Sequence, residues 1–187
     1  MFRAALNKAI TNKRLVAPAE FLLNMAMVYG GWRVFKYLSE HNANFLWGGW
    51  AWFQDLVGRS LAVVTAAILR LAGYELMQYE RVIIIEGTRG IRIADLCLGI
   101  APMVIFTGFI LAYGNNRRAK LWFIPMGLVV IYMTNVARLL ALTLVQAHYN
   151  KFFDMAHDYV YVTLTYGFIF LMVMWWMNKL AYKPSAA

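Results

Sequence analysis

The chain has 187 residues, of which 62% are hydrophobic and only 14% are charged. Ordinary soluble domains are about 45–50% apolar and about 25% charged, so this composition nearly excludes a soluble enzyme. The length suffices for several membrane spans of about 20 residues each. The sequence therefore predicts a single, all-α polytopic membrane domain over residues 1–187.

The formal net charge of +9 is confined to three short segments, residues 1–16, 114–120 and 178–187. Together they hold nine basic residues and no acidic residue. Basic segments that flank apolar stretches lie on the cytoplasmic side of a membrane, so we expect all three there, with residues 1–16 as a basic amphipathic lead. Clusters of basic residues interleaved with aromatic residues are lacking, so the charge does not favour nucleic acid as a partner.

Apolar stretches in chain order predict about four transmembrane helices, over residues 18–38, 98–113, 121–147 and 159–177. Residues 39–55 place several tryptophans between polar residues, as in an interfacial aromatic belt. Residues 56–73 carry Arg59 and Arg70 on one face of an otherwise apolar stretch. This pattern favours an amphipathic helix that lies on the membrane surface.

Residues 82–95 change from a helical to a strand-like pattern. Runs of β-branched residues flank a turn that contains Gly87 and Gly90, which predicts a short β-hairpin. Open strand edges are not tolerated in lipid, so we expect this hairpin in water or against the headgroups.

The three basic segments also constrain the topology. If all are cytoplasmic, an even number of spans must separate residue 16 from residue 114. The spans 18–38 and 98–113 satisfy this condition when residues 56–73 stay at the surface, and the hairpin then faces outward. The alternative has five spans and an external N-terminus, which leaves four basic residues outside.

Three residues at the outer ends of predicted spans could carry chemistry: Cys97, Arg138 and His157. Cys97 is the only cysteine, which excludes an intramolecular disulfide, and it begins a span, where the helix dipole favours a thiolate. Arg138 lies about ten residues, or about 15 Å, inside its span, too deep to reach the surface easily. Asn135 lies on the same helix face and could orient the guanidinium.

His157 has Asp154 and Asp158 as near neighbours and suits a general base near neutral pH. His148 lies at the other end of the same loop, so position alone does not choose between the two histidines. Each candidate also has a structural interpretation: a small apolar cysteine, an arginine paired within the membrane, or a solvated histidine. The three histidines show no spacing typical of a metal site.

The order of these motifs resembles the exosortase/archaeosortase family of polytopic membrane transpeptidases. The sequence reads IRIADLCLG over residues 91–99, then Asn-Val-Ala-Arg over residues 135–138, then His157 before the last span. The resemblance covers residues 70–180, an exosortase-like core.

The resemblance implies a membrane-embedded cysteine protease or transpeptidase of the cell membrane, with its active site facing outward. Its partners would be exported proteins that end in a short motif, an apolar span and a basic tail. It implies that Cys97 attacks the scissile carbonyl, that His157 protonates the leaving amine, and that Arg138 stabilises the oxyanion or positions the nucleophile. No cofactor is implied, and the acyl group would pass to an amine or to another acceptor, such as a membrane lipid or an envelope component.

A different class of protein is also compatible with the sequence. In a non-enzymatic membrane assembly or transport subunit, Arg138 would form a structural pair within the membrane. The two hypotheses differ at Cys97, because only the enzyme needs a reactive, outward-facing thiol.

Overall fold

The computed structural model describes residues 13–41, 45–149 and 161–181, which form five α-helices and one small sheet. The elements are α1 (Lys13–His41), α2 (Phe45–Leu71), β1 (Leu76–Tyr79), β2 (Val82–Ile85), β3 (Ile91–Arg92), α3 (Ile100–Ala112), α4 (Arg117–His148) and α5 (Tyr161–Trp175). A 3-10 turn (Asp95–Cys97) precedes α3, and a π-helical turn (Trp176–Leu180) ends α5.

Helices form where the apolar stretches predicted them, which confirms the mainly helical architecture. The predicted spans correspond to α1, α3 and α4, and α5 with the π-helical turn after it covers the described part of the fourth. Among the described residues, two segments are long and apolar enough to cross a membrane, Gly48–Leu71 and Arg117–His148. The arrangement with four spans therefore stays a prediction.

The chain between residues 45 and 71 differs from the sequence prediction. The described part of the aromatic segment and the predicted surface helix are not separate elements but one continuous helix of 27 residues, α2. The physical reason is that no proline interrupts this stretch, and two glycines near a helix start cost only about 1 kcal/mol each. The predicted boundary near residue 56, between an aromatic belt and a surface helix, is therefore wrong.

The predicted hairpin is present as β2 and β3, and β1 extends it to a three-stranded antiparallel sheet in the order β1-β2-β3. Ile83 and Ile93 are almost fully buried. They belong to a core that joins the sheet to α2, α3 and α4, formed by Leu61, Ala62, Leu69, Ile83, Ile93, Leu98, Ile100, Val136 and Leu139. This core fixes the segment between β3 and α3 in place.

The opposite end of the bundle gathers two of the basic segments. The helix α3 leads away from the sheet and α4 returns to it. At the turn between them, the backbone N–H groups of Asn115 and Asn116 donate to the carbonyl of Ala181, at 2.9 and 3.2 Å. Trp176 Nε1 donates to the carbonyl of Tyr113 at 3.2 Å. The 114–120 loop and the start of the basic C-terminal segment therefore lie at the same end, as the charge pattern predicts.

Candidate active site

Cys97 and Arg138 are in contact at the sheet end of the bundle. The 3-10 turn between β3 and α3 carries Cys97, which is half-buried, and α4 carries Arg138, which is also half-buried. Arg138 Nη2 donates to Cys97 Sγ at a distance of 3.8 Å. Reactive cysteines are found in electropositive, partly exposed surroundings, and a guanidinium beside a half-buried sulfur is such a setting. Two of the three residues singled out from the sequence are thus brought together.

Gly99 and Asn135 explain the shape of the turn that carries the cysteine. Gly99 has a φ of +73°, in the left-handed region that glycine adopts without strain. A Cβ on residue 99 would lie 1.7 Å from Asn135 Nδ2, so the glycine is required for space as well. Asn135 is only 2% exposed, and its Nδ2 has no hydrogen-bond partner among the described residues. The sequence placed Asn135 beside the guanidinium, and the structure places its amide against the cysteine turn.

A chain of ion pairs ties the same turn to α2. Arg81 donates from Nη1 to Asp95 Oδ1 at 2.5 Å and from Nε to Asp55 Oδ1 at 3.1 Å. The Asp55 carboxylate also accepts from Arg59, which in turn contacts Glu80 at 3.2 Å. Sequence analysis missed this network, since only the Asp55 and Arg59 pair, four residues apart on one helix, has a local signal.

The side chain of Arg81 is largely enclosed, with 18% of its surface exposed. It crosses α2 at Gly58, where an added Cβ would lie 2.6 Å from Arg81 Nε. Because one guanidinium bridges Asp55 on α2 and Asp95 beside Cys97, it fixes where the cysteine turn sits relative to α2.

A cavity of about 380 Å³ opens beside Cys97. Its walls are Gly90, Ile91, Arg92, Ile93, Ala94, Leu96, Cys97, Leu139, Leu142 and Gln146. Gln146 Nε2 donates to the carbonyl of Gly90 at 2.8 Å, so α4 and the start of β3 are joined across one side of the cavity. Ligand pockets commonly measure about 300–1,000 Å³, so a short peptide segment is a suitable size of occupant.

The structure describes one of the two candidate histidines, His148. His157 lies outside the described residues. His148 ends α4 and is exposed, with its ring centroid 6.1 Å from that of Tyr74. The assignment of the general acid and base to His157 therefore stays a prediction from the sequence.

These features define a class, a helical transmembrane protein with a cysteine–arginine site at one end of its bundle. Residues 14–177 match the family model described as transmembrane exosortase (Exosortase_EpsH), and the chain belongs to this family. The matched range includes α1 and α2, which precede the 70–180 core on which the motif resemblance rests. No curated protein and no solved structure matches the chain.

Proposed function

We propose that this exosortase-family protein is a membrane-embedded cysteine protease or transpeptidase that processes the C-terminal sorting signal of exported proteins. The observation that carries the proposal is the 3.8 Å contact between Arg138 Nη2 and Cys97 Sγ at the wall of a peptide-sized cavity. A cation beside a thiol that lines an open cavity is the arrangement a cysteine nucleophile needs.

The first half-reaction follows from the chemistry of a thiolate and an amide. The Cys97 thiolate adds to the scissile carbonyl, and the C–S bond forms as the carbonyl electrons move to oxygen. The oxyanion then collapses, the C–N bond breaks, and the leaving amine takes a proton from a general acid, for which His157 is the candidate. The product is a thioester on Cys97 and a free apolar span with its basic tail.

Arg138 can stabilise the negative charge of this half-reaction both on the sulfur and on the carbonyl oxygen. Before attack, its guanidinium stabilises the thiolate. During attack the negative charge moves from sulfur to the carbonyl oxygen, and a planar group with several N–H donors can follow it without moving far. The same residue thus positions the nucleophile and stabilises the oxyanion.

The second half-reaction transfers the acyl group. An amine, a lipid or envelope acceptor, or water attacks the thioester and gives its proton to the group that protonated the leaving amine, for which His157 is the candidate. The new bond to the acyl carbon forms, the C–S bond breaks, and Cys97 leaves as the thiolate. In this proposal the site faces outward from the cell membrane, so exported proteins are processed after their signal span has entered the bilayer.

The test is processing of an exported reporter that ends in a short motif, an apolar span and a basic tail, taken from a protein encoded in the same genome. Cys97→Ala removes the nucleophile but little volume, so the protein should accumulate normally while processing stops. Cys97→Ser keeps the shape, yet its hydroxyl ionises far less readily, so its residual rate should be low. Processing is followed by the size of the reporter and protein level by immunoblot.

Paired histidine variants test the candidate general acid in the same assay. His157→Ala should abolish processing, and His148→Ala should be tolerated. Normal processing by Cys97→Ala would contradict the enzyme proposal and favour the membrane assembly or transport subunit instead.

A further inference from the structure

The outer edge of β3 has backbone groups directed away from the sheet. In the antiparallel pair of β2 and β3, Ile93 N–H donates to Arg81 O at 2.9 Å, and Val82 faces Arg92. Hydrogen-bonded and non-hydrogen-bonded pairs alternate along such a ladder. Because Ile93 is bonded to the β2 side, the N–H and C=O of Arg92 point to the opposite side.

That outer side is the wall of the cavity beside Cys97. The carbonyl of Gly90, two residues before Arg92, points the same way and already accepts a hydrogen bond from Gln146 at 2.8 Å. The cavity is lined by the consecutive residues 90–94 and then by Leu96 and Cys97. The edge therefore leads along the cavity towards the thiol.

We propose that the substrate segment just before the scissile bond binds as an extended strand along this outer edge of β3. The inference rests on the proposed function and names how that site holds its substrate. Arg92 would accept one backbone hydrogen bond and donate another, as in other complexes in which a peptide adds a strand to a sheet edge.

The direction of the bound segment follows from what comes after it. In this chain, β3 leads through the cysteine turn into the apolar helix α3. A signal that consists of a short motif and then an apolar span has the same order. The segment therefore runs parallel to β3, and its scissile carbonyl comes to Cys97 where the substrate's own span begins. Backbone pairing also lets one site accept varied side chains.

The first experiment removes a single backbone donor. Arg92→Pro deletes the outward N–H, while the bonds of Ile91 and Ile93 to β2 remain, and edge strands accept proline where the N–H faces outward. Arg92→Ala is the matched control, because it loses the side chain and keeps the N–H. At limiting reporter, we expect Arg92→Pro to process about tenfold more slowly than Arg92→Ala, because both variants lack the arginine side chain and only the proline variant lacks the N–H.

Alkylation of Cys97 by a small maleimide reports whether the turn is intact in both variants. If Cys97→Ala blocks processing but Arg92→Pro processes as fast as Arg92→Ala, strand docking is wrong and the proposed function stands. If Cys97→Ala processes the reporter normally, the proposed function itself is wrong.

A second experiment does not depend on how well the proline variant folds. In a Cys97→Ala background, Arg92→Cys is combined with single cysteines at successive positions before the apolar span of the same reporter. Side chains of a strand alternate in direction, so disulfide cross-links should form at every second position. Equal yields of cross-link at adjacent positions, or no cross-link at any position, would overturn the proposal.

Discussion

Arg138 reaches Cys97 from a helix that is apolar over most of its length, and the proposed mechanism depends on the shape of this side chain as well as on its charge. The guanidinium is planar and offers several donors in a fixed fork, whereas an ammonium is a compact point charge. In the proposed mechanism, the guanidinium that donates to the sulfur at 3.8 Å follows the negative charge from the thiolate to the carbonyl oxygen.

Arg138→Lys should therefore keep the charge and lose most of the activity. We expect the variant to accumulate normally and to process the reporter about 100-fold more slowly, the loss typical of removing one oxyanion donor. Arg118→Lys, at an exposed position in the basic loop, is the control and should process normally. Full activity in Arg138→Lys would mean that simple charge pairing is sufficient.

Single residues also show where sequence reasoning reaches its limit. Cys97, Arg138 and the glycine two positions after the cysteine could be found because each is chemically unusual for a membrane helix or matches a motif. The reason for Gly99 could not, since the amide that fills its side-chain space comes from α4. Gln146 left a weak signal, as a polar residue seven positions after Leu139 near the end of a predicted span.

Elements with a strong local pattern were predictable, and elements that depend on partners were not. The pair of β2 and β3 has β-branched runs around a glycine turn, so the sequence indicated it. The strand β1 has an ordinary sequence, LMQY, and forms because β2 offers it an edge. The contact from Arg81 to Asp55 spans 26 residues and has no periodic trace.

The Arg81 bridge between elements gives a prediction of its own. Arg81→Lys keeps the charge but cannot hold Asp55 and Asp95 with the same two-sided geometry. We expect the cysteine turn to loosen, Cys97 to react about two- to fivefold faster with maleimide, and reporter processing to slow by a similar factor, since partly exposed pairs contribute up to about 1 kcal/mol each.

Arg59→Lys is the matched control for this bridge. Arg59 contacts Asp55 and Glu80 but is half exposed, with 51% of its side chain accessible, and its ion pairs do not include Asp95. Its maleimide and processing rates should match the wild type. Equal rates in the two lysine variants would show that the bridge does not position Cys97.

At the scale of the whole molecule, the bundle has two chemically different ends. One end carries the sheet, Cys97 and the acidic partners of Arg81. The other end joins the 114–120 loop to Ala181 beside the basic C-terminal segment. The charge rule predicts a cytoplasmic basic end and therefore an outward-facing position for the proposed active site.

The continuous helix α2 contains a segment, Gly48–Leu71, that is long and apolar enough to cross the membrane. If α2 lies at the surface, four spans place residues 1–16 in the cytoplasm. If α2 crosses as well, five spans place the same residues outside. In both arrangements the sheet is external and the 114–120 loop is cytoplasmic, so only the segments before α2 distinguish them.

Single cysteines in a Cys97→Ala background test both points with an impermeant maleimide applied to spheroplasts. Glu86→Cys, at an exposed position beside the sheet, should be labelled, and Asn115→Cys at the opposite end should be protected until the membrane is permeabilised. Removing Glu86 should not reverse the orientation, because acidic residues contribute little to the charge rule. Labelling of Asn115→Cys in sealed spheroplasts would contradict the outward-facing site.

Thr11→Cys in the same background tests the number of spans. The four basic residues of its segment predict that it is protected from the reagent, and labelling from outside would establish α2 as a fifth span.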